Sequence, residues 1–199
     1  MSGRQSGDTG PDVVPLNVPN VLTVLRILLV PVLIVALLDA TPSGDLLAAI
    51  VFALASLTDM IDGYLARARN SVTTFGKLMD PLADKLLIIA ALIALVSLHR
   101  LAAWVAMVII AREVAVTLLR TAASQQGLVI PAGTFGKAKT VVQVATVLLL
   151  IAVHGSPVWL DLLVYAMVVI TVLSGADYFF GLRRRLEEAR RDRTGAEAI

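Results

Sequence analysis

Six apolar runs follow one another along this chain, at 18–38, 46–68, 78–98, 101–123, 137–154 and 157–181. Each is about the ~20 residues that a bilayer-crossing helix needs. The runs are continuous and do not alternate with polar residues at period two, so they predict helices and not the strands of a barrel. Turn signals separate them: DATPSGD (39–45), RARNS (67–71), SQQGLVIPAG (124–133) and HGSP (154–157). The join at LHR (98–100) is so short that the third and fourth runs must form a tight antiparallel pair. Residues 1–17 are polar and read as a disordered tail, and 183–199 (RRRLEEARRDRTGAEAI) read as a charged tail with a frayed helical extension. The six-helix body is expected over 18–182. Arg26 followed by the apolar run to Leu38 imitates a signal peptide. Asp8 and Asp12 in front of it, and the lack of an A-x-A site behind it, argue that the segment is a retained span.

Composition moves the reading from helical to integral membrane. The chain is 58% hydrophobic and only 16% charged. About half of an ordinary soluble domain is apolar, and this chain exceeds that share while keeping few charges. Aromatics are 5%, so the apolar content is mostly Leu, Val, Ile and Ala. The absence of cysteine excludes disulfides, thiolate metal sites and a cysteine nucleophile. The net charge is only +2, and its placement matters more than its size. With six spans, Arg4, Arg67, Arg69, Lys77, Arg120, Lys137, Lys139 and the tail arginines all fall on the side of the termini, and only Arg100 falls opposite. The positive-inside rule makes the terminal side cytoplasmic. The basic residues serve this membrane asymmetry, and no nucleic-acid partner is expected. Trp104 and Trp159 read as interfacial anchors on the outer face.

The remaining ionisable residues share one depth. Arg26 comes early in the first span, Asp59 and Asp62 late in the second, and Asp80, Asp84 and Lys85 early in the third. Arg112 and Glu113 come late in the fourth, Lys137 and Lys139 open the fifth, and Asp177 is late in the sixth. All lie in the cytoplasmic halves. A charge in hydrocarbon costs at least ~2.5 kcal/mol and marks a polar cavity. Snorkelling accounts for Arg67, Lys77 and Lys139, but not for short aspartates. One shared cavity open to the cytoplasm is the economical reading.

Asp59 and Asp62 are three residues apart, and Ala66 lies four beyond Asp62, on the same helix face. Gly76, Asp80 and Asp84 step by four along the next helix. Two such faces turned together make an oxygen cage. Four carboxylates in a low-dielectric space repel one another unless a cation neutralises them. Hard divalent ions, Mg²⁺ or Mn²⁺, suit these donors, and four carboxylates can hold two ions, an arrangement used for displacement at phosphorus. Gly63 and Ala66 leave room beside the acids for a ligand, and Arg67 offers a fork for phosphate.

The pattern D-x2-D-G-x2-A-R-x8-G-x3-D-x3-D, read here from Asp59 to Asp84, resembles that of the CDP-alcohol phosphatidyltransferases, with every spacing met. The resemblance extends to the six-span, all-α membrane architecture over 15–182. It implies displacement of CMP from a CDP-linked lipid by an alcohol. It also implies metal binding by Asp59, Asp62 and Asp80, and general-base action by Asp84, which also touches metal. It further implies CDP-lipid contacts at Gly63, Ala66 and Arg67 with close approach at Gly76, and a homodimer among membrane lipids.

NVPNVLTVLRILLVP (17–31), AREVAVTLLR (111–120) and GKAKT (136–140) resemble the branch whose donor is CDP-diacylglycerol and whose acceptor is sn-glycerol 3-phosphate. A dianionic acceptor agrees with a basic cluster of Arg112, Lys137 and Lys139, joined by Arg26. A salt bridge to an aspartate is the plainer reading of Arg112, and snorkelling that of Lys139. Glu113 is expected to pair with a cation and is assigned no chemistry. Asp177 is expected deep, holding Arg26 or a lysine. His99 and His154 lie at the far end, are expected to be structural, and have no catalytic partner. No nucleophile for a covalent intermediate is apparent, which favours direct displacement. Three rivals stand beside this reading: the same chemistry on another alcohol, as in cardiolipin or phosphatidylinositol-phosphate synthesis; a membrane prenyltransferase, which also pairs D-x-x-D motifs; and a transporter. A prenyltransferase would lack the G-x-x-A-R continuation, and a transporter would carry polar residues through the outer halves.

Overall fold

A computed structural model describes residues 18–69, 74–125, 134–155 and 157–196, with side chains over 21–58, 85–125, 136, 138–155 and 157–185. The expected tail over 1–17 and the turn residues 70–73 and 126–133 lie outside the described residues. Within them the chain is all helix: α1 (Val18–Leu38), α2 (Pro42–Arg69), α3 (Thr74–Ser97), α4 (Ala103–Gln125), α5 (Thr134–Ala152) and α6 (Val158–Ala196).

The helix ends differ from the apolar runs for local reasons. α2 starts four residues before its apolar run. Thr41 caps it, its Oγ1 accepting the Gly44 amide at 3.0 Å and its carbonyl accepting the Asp45 amide at 2.9 Å. Pro42 takes the first helical position, where no amide is needed. Most of the expected turn at 39–45 is therefore helix. Gly44 is demanded by the close approach of α1, because a Cβ there would sit 2.5 Å from the Ala36 carbonyl oxygen. At the end of α3, His99 adopts a left-handed φ of 58°. The Arg100 amide reaches back to Leu95 O at 2.9 Å and the His99 amide to Val96 O at 3.0 Å, a Schellman closure that turns the chain into α4. α6 runs unbroken for 39 residues through the charged tail. At 1.5 Å per residue that is about 58 Å, well beyond a hydrocarbon core of ~30 Å.

α1 packs on α2 and α3; α5 packs on α6, α2 and α3; α4 bridges α3 and α6. Leu33, Leu37, Phe52, Leu92, Leu95, Ile109, Val147, Ile151 and Met167 fill the shared core, and the wholly buried Ala48 and Ala91 let backbones approach. The outward faces are apolar as well. Val35 is 69% exposed, Met107 66%, Leu118 65% and Phe180 65%. A surface this apolar on every side needs lipid around it. α1 and α6 carry stretches long and apolar enough to cross a membrane, Val21–Leu38 and Val158–Arg185. Among the described residues α2, α3 and α5 carry further apolar stretches, Pro42–Thr58, Lys85–Ser97 and Ala138–Ala152.

The other end of the bundle holds a polar tie that hydropathy concealed. Asp45 is 1% exposed, and its carboxylate takes both Arg100 guanidinium Nη atoms, at 2.9 and 2.7 Å. His154 Nε2 lies 2.7 Å from the same carboxylate, and Arg100 Nη1 also donates to Ile151 O at 3.3 Å. Three separate elements, the start of α2, the α3–α4 turn and the end of α5, are joined there. His154, expected as a lone helix-end histidine, has a buried partner.

Candidate active site

The alternation of short connections and antiparallel helices gathers the ends of α2, α4 and α6 with the starts of α1, α3 and α5. Asp59, Asp62, Gly63, Ala66 and Arg67 occupy the last three turns of α2. Gly76, Asp80 and Asp84 occupy the first three turns of α3. The side chains of 59–69 and 74–84, and that of Lys137, lie outside the described residues. The backbone register stands: each acid pair is on helix, at i, i+3 in α2 and i, i+4 in α3. Among the described residues no three acidic, histidine or cysteine side chains gather.

The basic half of the site is described. Lys139, on the first turns of α5, is 6% exposed and forms an ion pair with Glu113 of α4. The same Glu113 Oε1 lies 3.4 Å from Arg112 Nη1. Arg112 Nη2 donates to Ser174 Oγ of α6 at 2.6 Å. Two cations, from α4 and α5, thus meet one carboxylate. Arg26 is 3% exposed on α1, as deep as its position in the span requires. A small cavity of about 30 Å³ opens between Arg112, Arg120, Ser174, Asp177 and Tyr178. Asp177 is exposed there. The Arg120 guanidinium stacks over the Tyr178 ring at 5.7 Å, an exposed-side cation–π contact.

Several polar groups were invisible to sequence reasoning. Ser174, Gln143 and Thr171 are buried, and Gln143 Oε1, Thr171 Oγ1, Tyr178 Oη and Arg112 Nε have no hydrogen-bond partner among the described residues. The only signal for them in the sequence was helical spacing: Lys139 and Gln143 are four apart, as are Ser174 and Tyr178. The much larger apolar groove of about 440 Å³ between α3 and α4, lined by Ile93, Val96, Met107 and Ile110, belongs to the lipid-facing surface and holds no chemistry.

The family model for CDP-alcohol phosphatidyltransferase matches residues 16–174. A CDP-diacylglycerol–glycerol-3-phosphate 3-phosphatidyltransferase of Bacillus subtilis is 42% identical over 181 residues, covering 82% of this chain and 93% of its own. Proteins of the same name from Rickettsia bellii and Pseudomonas fluorescens are 37% and 38% identical. The first covers 82% of this chain and 93% of its own, the second 78% and 82%.

Proposed function

The chain belongs to the CDP-alcohol phosphatidyltransferase family, and from that premise we propose that it transfers the phosphatidyl group of CDP-diacylglycerol to sn-glycerol 3-phosphate, giving phosphatidylglycerophosphate and CMP. The observation that carries the acceptor is the convergence of Arg112 and Lys139 on one site, supported by relatives whose names specify glycerol 3-phosphate. Two cations against the one carboxylate of Glu113 leave a net positive charge, which suits a phosphate better than a neutral alcohol. All six helices cross the cytoplasmic membrane, with both termini and the site on the cytoplasmic side, and the enzyme works as a homodimer. The apolar outer faces and the lysine and arginine distribution support this topology.

The donor set fits hard divalent cations: four carboxylates on two successive helices, with no cysteine or histidine beside them in the sequence. Asp59, Asp62, Asp80 and Asp84 would hold Mg²⁺ or Mn²⁺, two ions in all. Bound there, the metal supplies charge stabilisation for the diphosphate and for departing CMP. Gly63, Ala66 and Arg67 receive the cytidine diphosphate, and Gly76 allows its close approach. Arg112, Lys137, Lys139 and Arg26 hold the phosphate of the acceptor. Asp84 removes the proton from the acceptor's terminal hydroxyl. That oxygen bonds to the phosphorus bearing diacylglycerol, the bond from this phosphorus to the CMP oxygen breaks, and CMP leaves. No covalent enzyme intermediate is needed.

The direct test is CMP release by the purified enzyme from CDP-diacylglycerol across a panel of acceptors. Turnover with sn-glycerol 3-phosphate alone is expected. Turnover with phosphatidylglycerol or an inositol phosphate in its place would overturn the acceptor.

A further inference from the structure

Glu113 has no assigned role in the reaction, yet it stands at the centre of the described polar cluster. Its Oε1 pairs with Lys139 Nζ from α5 and faces Arg112 Nη1 from its own helix at 3.4 Å. The three side chains are deep, with 13% of Glu113, 14% of Arg112 and 7% of Lys139 exposed. A buried cation is tenable only with a counter-charge and satisfied hydrogen bonds. Two buried cations on different helices also repel. Without an anion between them they would splay.

The rest of the cluster fixes Arg112 from the other side. Ser174 Oγ takes its second Nη at 2.6 Å. The arginine stem lies against the α6 backbone, where a Cβ added at Gly175 would come 3.3 Å from Arg112 Cγ. The guanidinium is therefore held by α6 and by Glu113, and the ammonium by Glu113.

Resting on the acceptor assigned above, we propose that Glu113 is the positioning residue of the acceptor-phosphate site. Its single carboxylate ties Arg112 to Lys139 and sets their separation before the acceptor arrives. A phosphate monoester then meets two cations already placed, and the ordering cost of assembling them is not charged to binding. Glu113 acts through these two residues and touches no substrate.

The full-length enzyme, in detergent with CDP-diacylglycerol, tests this by the separation of two KM values. Glu113→Gln keeps the shape and removes the charge. Its KM for sn-glycerol 3-phosphate is expected to rise about tenfold or more, the scale of one charge-assisted contact, with the KM for CDP-diacylglycerol nearly unchanged. Glu113→Asp, with the charge on a shorter arm, should recover part of the loss. Ser174→Ala, which frees only one Nη, should raise the acceptor KM by a smaller factor and serves if Glu113→Gln does not fold. An unchanged or lower acceptor KM in the variants overturns the proposal, as does an equal change in both KM values. The wild-type enzyme keeps the two readings apart. If it is inactive with sn-glycerol 3-phosphate but active with another phosphorylated acceptor, the acceptor is wrong. The variants' KM for that compound then decides the role of Glu113 by the same criteria.

Discussion

At the scale of single residues, the chemistry divides between acids and bases of different legibility. Asp84 is the sharpest test of the proposed reaction. Asp84→Asn keeps an oxygen donor but cannot take a proton, so turnover should fall by about 10²–10⁴, the usual contribution of a general base. CDP-diacylglycerol binding, measured by equilibrium titration, should persist. Near-wild-type CMP release would remove Asp84 from that role. Arg112→Lys keeps the charge but cannot reach Ser174 and Glu113 at once with a planar fork, so it should behave as a loss and not as a conservative change. Its acceptor KM is expected to rise about tenfold, again with the donor KM little altered. The four aspartates were legible because their spacing is local to two helices. Ser174 was not, because it meets Arg112 across 62 residues of chain and nothing in the local pattern distinguishes it from other buried serines.

At the scale of elements, apolar runs locate helices well and their ends poorly. Hydropathy falls where a helix becomes charged, while backbone hydrogen bonding continues wherever propensity and caps allow. α6 continues through RRRLEEARR because Arg, Leu, Glu and Ala are all good helix formers. α2 begins early because Thr41 and Pro42 form its cap. Gly44 tests that corner. Gly44→Ala would drive a methyl group into the Ala36 carbonyl and should cost about 1–3 kcal/mol, read as a lower midpoint of thermal unfolding in detergent. The Asp45–Arg100–His154 tie joins three helix ends that carry no other polar anchor in the pattern of the sequence. Asp45→Ala leaves Arg100 without its buried partner. It should cost about 3 kcal/mol, the lower end for a broken buried pair because Arg100 is 21% exposed. The same melting experiment checks it, and an unchanged midpoint would show that solvent already satisfies the arginine.

At the scale of the whole molecule, polarity is segregated along the bundle axis. One end carries the aspartate motif and the basic cluster; the other carries the Asp45–Arg100–His154 tie, with the exposed Asp39 and Asp161 near it. The absence of native cysteine makes the proposed orientation directly measurable. In intact cells, Ala102→Cys at the α3–α4 turn should react with an impermeant maleimide, and Ser124→Cys at the end of α4 should react only after lysis. Both positions are exposed, and the reverse pattern would invert the topology. Chelation should stop CMP release, and added Mg²⁺ or Mn²⁺ should restore it. Metal-free turnover would refute the carboxylate cage.

The sequence by itself determined the helical membrane class, the number and order of the apolar runs, and the aspartate pattern that places the chain in its family. These are local properties: hydropathy over about one bilayer-spanning length and side-chain register within a helix. Only the tertiary structure decided which charges meet. Glu113 became the link between Arg112 and Lys139, Ser174 became the second hold on Arg112, and Asp45 became the partner of Arg100 and His154. The reason is physical. Burial forces each charge to find a counterpart, but the sequence does not encode which one in its spacing. The rotation of each helix against its neighbours makes that choice, and packing of the whole bundle sets the rotation.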